Sequence, residues 1–161
     1  MSLLQLINPP GLYDPEPNGY SHVAIVAPGS RLVLASGQGG EDADGALAAD
    51  FAAQVRQAVD NMVVALAAAG AGPRDVARLQ VLVVDHDMGK LETFGRELSR
   101  LWGDARKPAC TLVPVSRLAL DGMLFEIEAT AVVARCARRS SPTRSSRSTD
   151  ELRASPAGDP T

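Results

Sequence analysis

Apolar positions along the chain alternate with polar ones, or crowd into short β-branched runs, and twice they switch to a helical period. Residues 22–27 and 31–36 are β-type runs divided by Pro28-Gly29-Ser30, a turn signal that predicts a hairpin. The glycine-rich stretch 36–40 and the acidic residues 41–44 then read as a loop. Asp50 can cap a helix on which Val55, Val59, Met62, Val63 and Leu66 recur with a period near 3.6, ending at Gly70. Residues 78–84 follow as a strand with Leu79, Val81 and Val83 on one side and Leu82 and Val84 on the other, predicting burial on both faces. A second amphipathic helix spans about 88–102 through Leu91, Phe94, Leu98 and Leu101. Residues 110–118 and 123–134 supply the last strands, turned by Leu120-Asp121-Gly122. The predicted order is β-β-α-β-α-β-β, an α+β fold.

Two helices cover only one face of such a sheet, so something else must cover the other. With no further element in the body, a closed homo-oligomer is the expected solution, with a ligand cleft at the subunit boundary.

The run at 123–134 also carries Glu126 and Glu128, two apart in a strand, so both carboxylates project to one side about 6–7 Å apart. Burying ionised groups costs several kcal/mol each unless they are paired or solvated, which points this side toward a polar cleft or hydrogen-bond donors. A half-exposed edge strand is the alternative.

The length of 161 residues, with 45% hydrophobic and 22% charged residues, fits one globular domain. No run approaches the roughly 20 apolar residues of a membrane span, and the first eight residues lack a secretory signal, so a cytoplasmic protein is expected. Charge is unevenly spread: residues 1–134 hold 10 basic and 16 acidic residues, whereas 135–161 carry six Arg against three acids. The acidic body disfavours phosphate binding, so among these segments only the tail could serve as a nucleic-acid or anionic-surface arm, with a dispensable extension as the alternative. That Ser-, Arg- and Pro-rich tail is expected to be disordered, because it has too little apolar surface to offset its ordering entropy. Cys110 and Cys136 are too few for a metal knuckle and should stay reduced, and His22 and His86 stand apart without ligand spacing, so neither metal nor cofactor is expected.

Four segments together resemble the RidA/YjgF family: Gly19-Tyr20-Ser21, like G-P-Y-S; residues 34–38 (LASGQ), like V-x-S-G-Q; residues 54–69 (QVRQAVDNMVVALAAA), like Q-T-R-Q-A-L-E-N-L-x-x-x-L-x-A-A; and residues 125–129 (FEIEA), like V-E-I-E-A. The resemblance runs from about Asn18 to Val133. It implies a homotrimer of chorismate-mutase-like fold with two helices on one face of the sheet. Active members of that family hydrolyse enamines and imines, notably 2-aminoacrylate, to a keto acid and ammonia. Such chemistry requires a cation or amide cluster for the substrate carboxylate and a water held over the C=N carbon by an acceptor. The resemblance implies that Glu126 orients this water, that Tyr20 lines the pocket and that Ser36 and Gly37 lie beside it. Cys110 and Thr111, on the strand that carries the family's clamping arginine, complete the candidate substrate-binding set.

At the clamp this chain departs from the family. Active members read P-A-R-S-C-V-E-V-A-R-L-P, whereas this chain reads Pro108-Ala109-Cys110-Thr111-Leu112-Val113-Pro114-Val115-Ser116-Arg117-Leu118. Cys110 stands where the arginine binds the carboxylate bidentately, and Arg117 is too far along the strand to replace it. Arg106 and Lys107 could bring a cation from another direction, or be a solvated loop pair. Pro114 removes a ladder donor and predicts an edge or bulge. Three function classes follow: an imine or enamine hydrolase with altered specificity, a non-catalytic metabolite-binding or regulatory trimer, and an endoribonuclease or translation inhibitor.

Overall fold

The computed structural model describes residues 2–135; Cys136 and the expected disordered tail lie outside the described residues. Strands β1 (Leu4–Ile7), β2 (Val23–Val26) and β3 (Arg31–Gly39) precede helix α1 (Phe51–Ala68). Strand β4 (Val76–Val84), helix α2 (Met88–Trp102), β5 (Ala109–Val115) and β6 (Phe125–Val133) complete the body. A four-stranded sheet has the order β3-β6-β4-β5, with β4 and β5 parallel and the other pairs antiparallel. Both helices pack on one face, where Val55, Val59, Met62 and Leu66 meet Leu79, Val81 and Ile127, and Phe94 and Leu98 meet Phe125.

Both helices begin at aspartate caps: the Asp50 carboxylate accepts from Ala53 N at 2.8 Å, and Asp87 accepts from Lys90 N at the same distance. Asp87 thus ends the Asp85-His86-Asp87 turn as a helix cap, and among the described residues no cluster of acidic, His or Cys side chains could hold a metal ion. No described helix is long and apolar enough to cross a membrane.

The expected hairpin between the second and third strands is not formed. Strand β2 pairs with β1, a segment not anticipated as a strand, while β3 pairs with β6. The reason lies in the turn: Ser30 N bonds back to Ala27 O, with Pro28 first and Gly29 second at φ 79°. Pro followed by a left-handed Gly is type II geometry, whose twist splays the flanking strands. The loop read at 36–40 is also corrected, because β3 runs through Gly39. Pro114 does sit on an edge strand, β5, where its missing donor costs no ladder bond.

The second sheet face has no helix. Leu32 and Leu34 on β3 and Val113 on β5 are exposed there, Leu34 at 74%, among Arg78, Gln80, Glu126, Glu128 and Thr130. Burial of β4 on both faces holds at its two ends, at Val76 and Ala77 and where Val84 packs with Leu118 and Met123, but not between them, where Arg78 is exposed and Gln80 half-buried.

Candidate functional site

Strand β6 alternates buried Phe125, Ile127 and Ala129 with half-buried Glu126, Glu128 and Thr130, so both glutamates do project from the open face. Opposite them β3 bulges: Ala35 pairs with Ala129 and Gln38 with Ile127, leaving Ser36 and Gly37 together across from Glu128. The bulge brings Gly37 against the Glu126 carboxylate so closely that a Cβ there would overlap it. Partial burial pushes the Glu126 carboxyl above the usual carboxylate range, and the charges of Glu128 and Glu41 add to the rise. Because the overlap involves only the end of a flexible side chain, Gly37→Ala should leave the melting temperature within a few degrees of the parent. It should nevertheless move the Glu126 titration, read by NMR, as the carboxylate is displaced.

Two amides on α1 hold the segments that flank this site, and Asn61 is the one that bonds to Glu41. Asn61 Nδ2 donates to Gly39 O at 3.0 Å and to Glu41 O at 2.8 Å. Gln54, fully buried, donates to Ala48 O at 2.7 Å and Gly122 O at 2.8 Å and accepts from Leu124 N at 2.8 Å. Its backbone lies so close to Gly40 that only glycine fits there. The helix therefore fixes both the segment after β3 and the approach to β6.

Tyr20, Cys110 and Thr111 lie elsewhere, in a cavity of about 1020 Å³ between the 13–20 segment, α2 and β5. Buried Ser21 clips that segment to the start of β5: its N donates to Pro108 O at 3.0 Å and its Oγ to Lys107 O at 2.7 Å. Tyr13, Tyr20 and His22 pack edge to face with centroids 5.2 to 6.5 Å apart. The hydrogen bond between the Tyr13 and Tyr20 hydroxyls, with burial second, raises the Tyr20 phenol to about 12. Burial pushes the Cys110 thiol to about 12 despite the nearby Arg78 charge, so it is a neutral, apolar group here and not a nucleophile.

One chain thus does not bring the six candidate residues together. Ser36, Gly37 and Glu126 sit at the β3–β6 end of the sheet, and Tyr20, Cys110 and Thr111 at the β5 edge, two to three strand spacings or about 10–14 Å away. Arg117 pairs with exposed Asp121, as its distance along the chain implies. Arg106 is engaged by Glu16 and Leu6 O, while Lys107 lines the Tyr20 cavity. Sequence reasoning missed Glu41, Gln54 and Asn61; the two amides were visible only as letters of the helix motif.

The family profile described as endoribonuclease L-PSP matches residues 14–133. No curated protein sequence matches the chain. Among solved structures, the Rid-family protein YyfB of unknown function from Yersinia pestis is 34% identical with a TM-score of 0.77, over 82% of this chain and all of that one. A YjgF/YER057c/UK114-family protein from Mycobacterium tuberculosis is 31% identical at TM-score 0.54, over 81% of this chain and 99% of that one. E. coli TdcF, solved with bound serine, is 28% identical at TM-score 0.57, over 73% of this chain and 95% of that one. With the profile spanning most of the chain and the α+β sheet and helices matching, the protein belongs to the RidA/YjgF/L-PSP family.

Proposed function

We propose that the protein is a homotrimer whose intersubunit clefts hydrolyse a small imine or enamine, with a specificity altered by Cys110. The observation that carries this reading is the Glu126 carboxylate, lodged against the β3 bulge with its pKa raised. A carboxylate so tuned is a better proton acceptor near neutral pH than a solvated one. The uncovered sheet face, with exposed Leu32, Leu34 and Val113, favours a neighbouring copy as its cover. In that arrangement the β5 edge of one copy, with Tyr20 and Thr111, faces the β3–β6 end of the next. Water then adds to the imine carbon as Glu126 accepts its proton. The nitrogen is protonated, the C–N bond breaks to release ammonia, and the carbonyl forms as the remaining hydroxyl proton is lost.

The test is ammonia release from enzymatically generated imino acids by the parent and by Cys110→Arg. Restoring a charge-assisted pair is worth a few kcal/mol, so Cys110→Arg should raise 2-aminoacrylate hydrolysis by roughly tenfold to a hundredfold. No turnover of any imine by either protein would remove hydrolysis as the function.

One observation favours a second reading, a non-catalytic metabolite-binding trimer: a half-buried, neutral thiol stands at the arginine's place. A ligand would then raise the melting temperature by mass action without being consumed. RNA cleavage, suggested by the family's name, is disfavoured by the excess of acids in residues 1–134.

A further inference from the structure

We propose that Arg78 grips a ligand carboxylate from the Glu126 side of the cleft, a cation displaced from the place Cys110 leaves vacant, so that the altered specificity still requires a carboxylate-bearing ligand. The inference rests on the cleft proposed above. Arg78 lies on β4 opposite Thr130, and Gln80 lies opposite Glu128, so all four share the open face with Glu126. A cavity of about 340 Å³ there is lined by Arg78, Gln80, Glu128, Thr130 and the bulge residues Ser36 and Gly37.

The guanidinium is available. Among the described residues its side chain makes one hydrogen bond, at 3.3 Å to the neutral Gln80 amide, and no ion pair. By contrast Arg106 is paired with Glu16 and Arg117 with Asp121, while the Lys107 amine lies at Gly103 O. A planar fork donating two parallel bonds suits a carboxylate.

The spacing suits a small substrate. Arg78 pairs with Thr130 and Leu82 with Glu126, so four residues, about 13 Å along the strand, separate the two charged positions. The Glu126 carboxylate leans onto Gly37, which lies across from Glu128, and so toward the end of the face that holds Arg78. Glu128 projects between Arg78 and Glu126, where it matches a protonated imine nitrogen. Along one face, then, stand a cation for the carboxylate, an anion for the protonated nitrogen and Glu126 for the water.

The test compares pyruvate with pyruvamide, stable analogues differing in one charge, by NMR titration of the parent and of Arg78→Gln, Arg78→Lys and Cys110→Arg. The parent should prefer pyruvate, and Arg78→Gln should lose that preference by about tenfold or more, the worth of a charge-assisted hydrogen bond. Sedimentation checks the assembly. If Arg78→Gln disturbs it, Arg78→Lys decides, since it keeps the charge but not the fork and should lose at least half of the preference. An unchanged preference in the intact variants overturns the role of Arg78 while leaving the cleft standing. Failure of the parent and Cys110→Arg alike to bind either analogue overturns the cleft, and this inference with it.

Discussion

Glu126→Gln is expected to lower imine hydrolysis by about a hundredfold or more, the usual contribution of a positioned general base, while making the protein more stable at neutral pH. Both effects come from the same environment. Partial burial, Glu128 and Glu41 each raise the folded-state pKa of this carboxyl, so the folded protein holds the proton more tightly than the unfolded chain does. The neutral form's stability is fully present below the unfolded pKa of about 4.3 and is lost as pH rises through the raised folded value. Glutamine mimics the neutral form at every pH. Its stabilising effect should therefore be largest near pH 7 and vanish near pH 4, as read from melting temperatures across that range. Equal melting curves at pH 7 would show that the carboxylate is not desolvated, and unchanged turnover would remove it from the chemistry.

Gln54→Met should cost about 3–9 kcal/mol, measured by urea denaturation. The substitution keeps a flexible chain of similar length but orphans Ala48 O, Gly122 O and Leu124 N, each costing roughly 1–3 kcal/mol when buried without a partner. Against a total stability of about 5–15 kcal/mol, that loss brings the domain close to unfolding. Cysteine-free variants of the same protein would keep the measurement clear of oxidation. A loss under about 1 kcal/mol would mean that water replaces the amide and that Gln54 does not pin the segment before β6.

The helices were legible in the sequence because their apolar faces recur near 3.6 residues and, for the first, Asp50 stands ready as a cap; the Asp87 cap of the second emerged only in the structure. Gln54 escaped that reading: a polar residue on an apolar face carries no periodic signal, although it is among the most buried in the chain. The pair of glutamates on one side of β6 followed from strand alternation alone. Their setting did not, since Ser36-Gly37 looks like a loop until β6 pairs beside it and turns the extra residue into a bulge. Strand β1 was missed because its four residues are cut short by Asn8-Pro9-Pro10, and its pairing with β2 depends on a turn that splays β2 from β3. The family motifs named Tyr20 and Glu126 but not their separation, which arises from the strand order. Arg78 was invisible as a candidate because the motif alignment looks for its cation on β5 and not on the neighbouring strand.

The account turns on a neighbouring copy covering the open sheet face and joining the Tyr20 side of one chain to the Glu126 side of the next. Sedimentation equilibrium of the full chain at micromolar concentration measures this directly. A single species of three times the chain mass is the predicted result, and a stable monomer, with Leu32 and Leu34 left facing water, would contradict it.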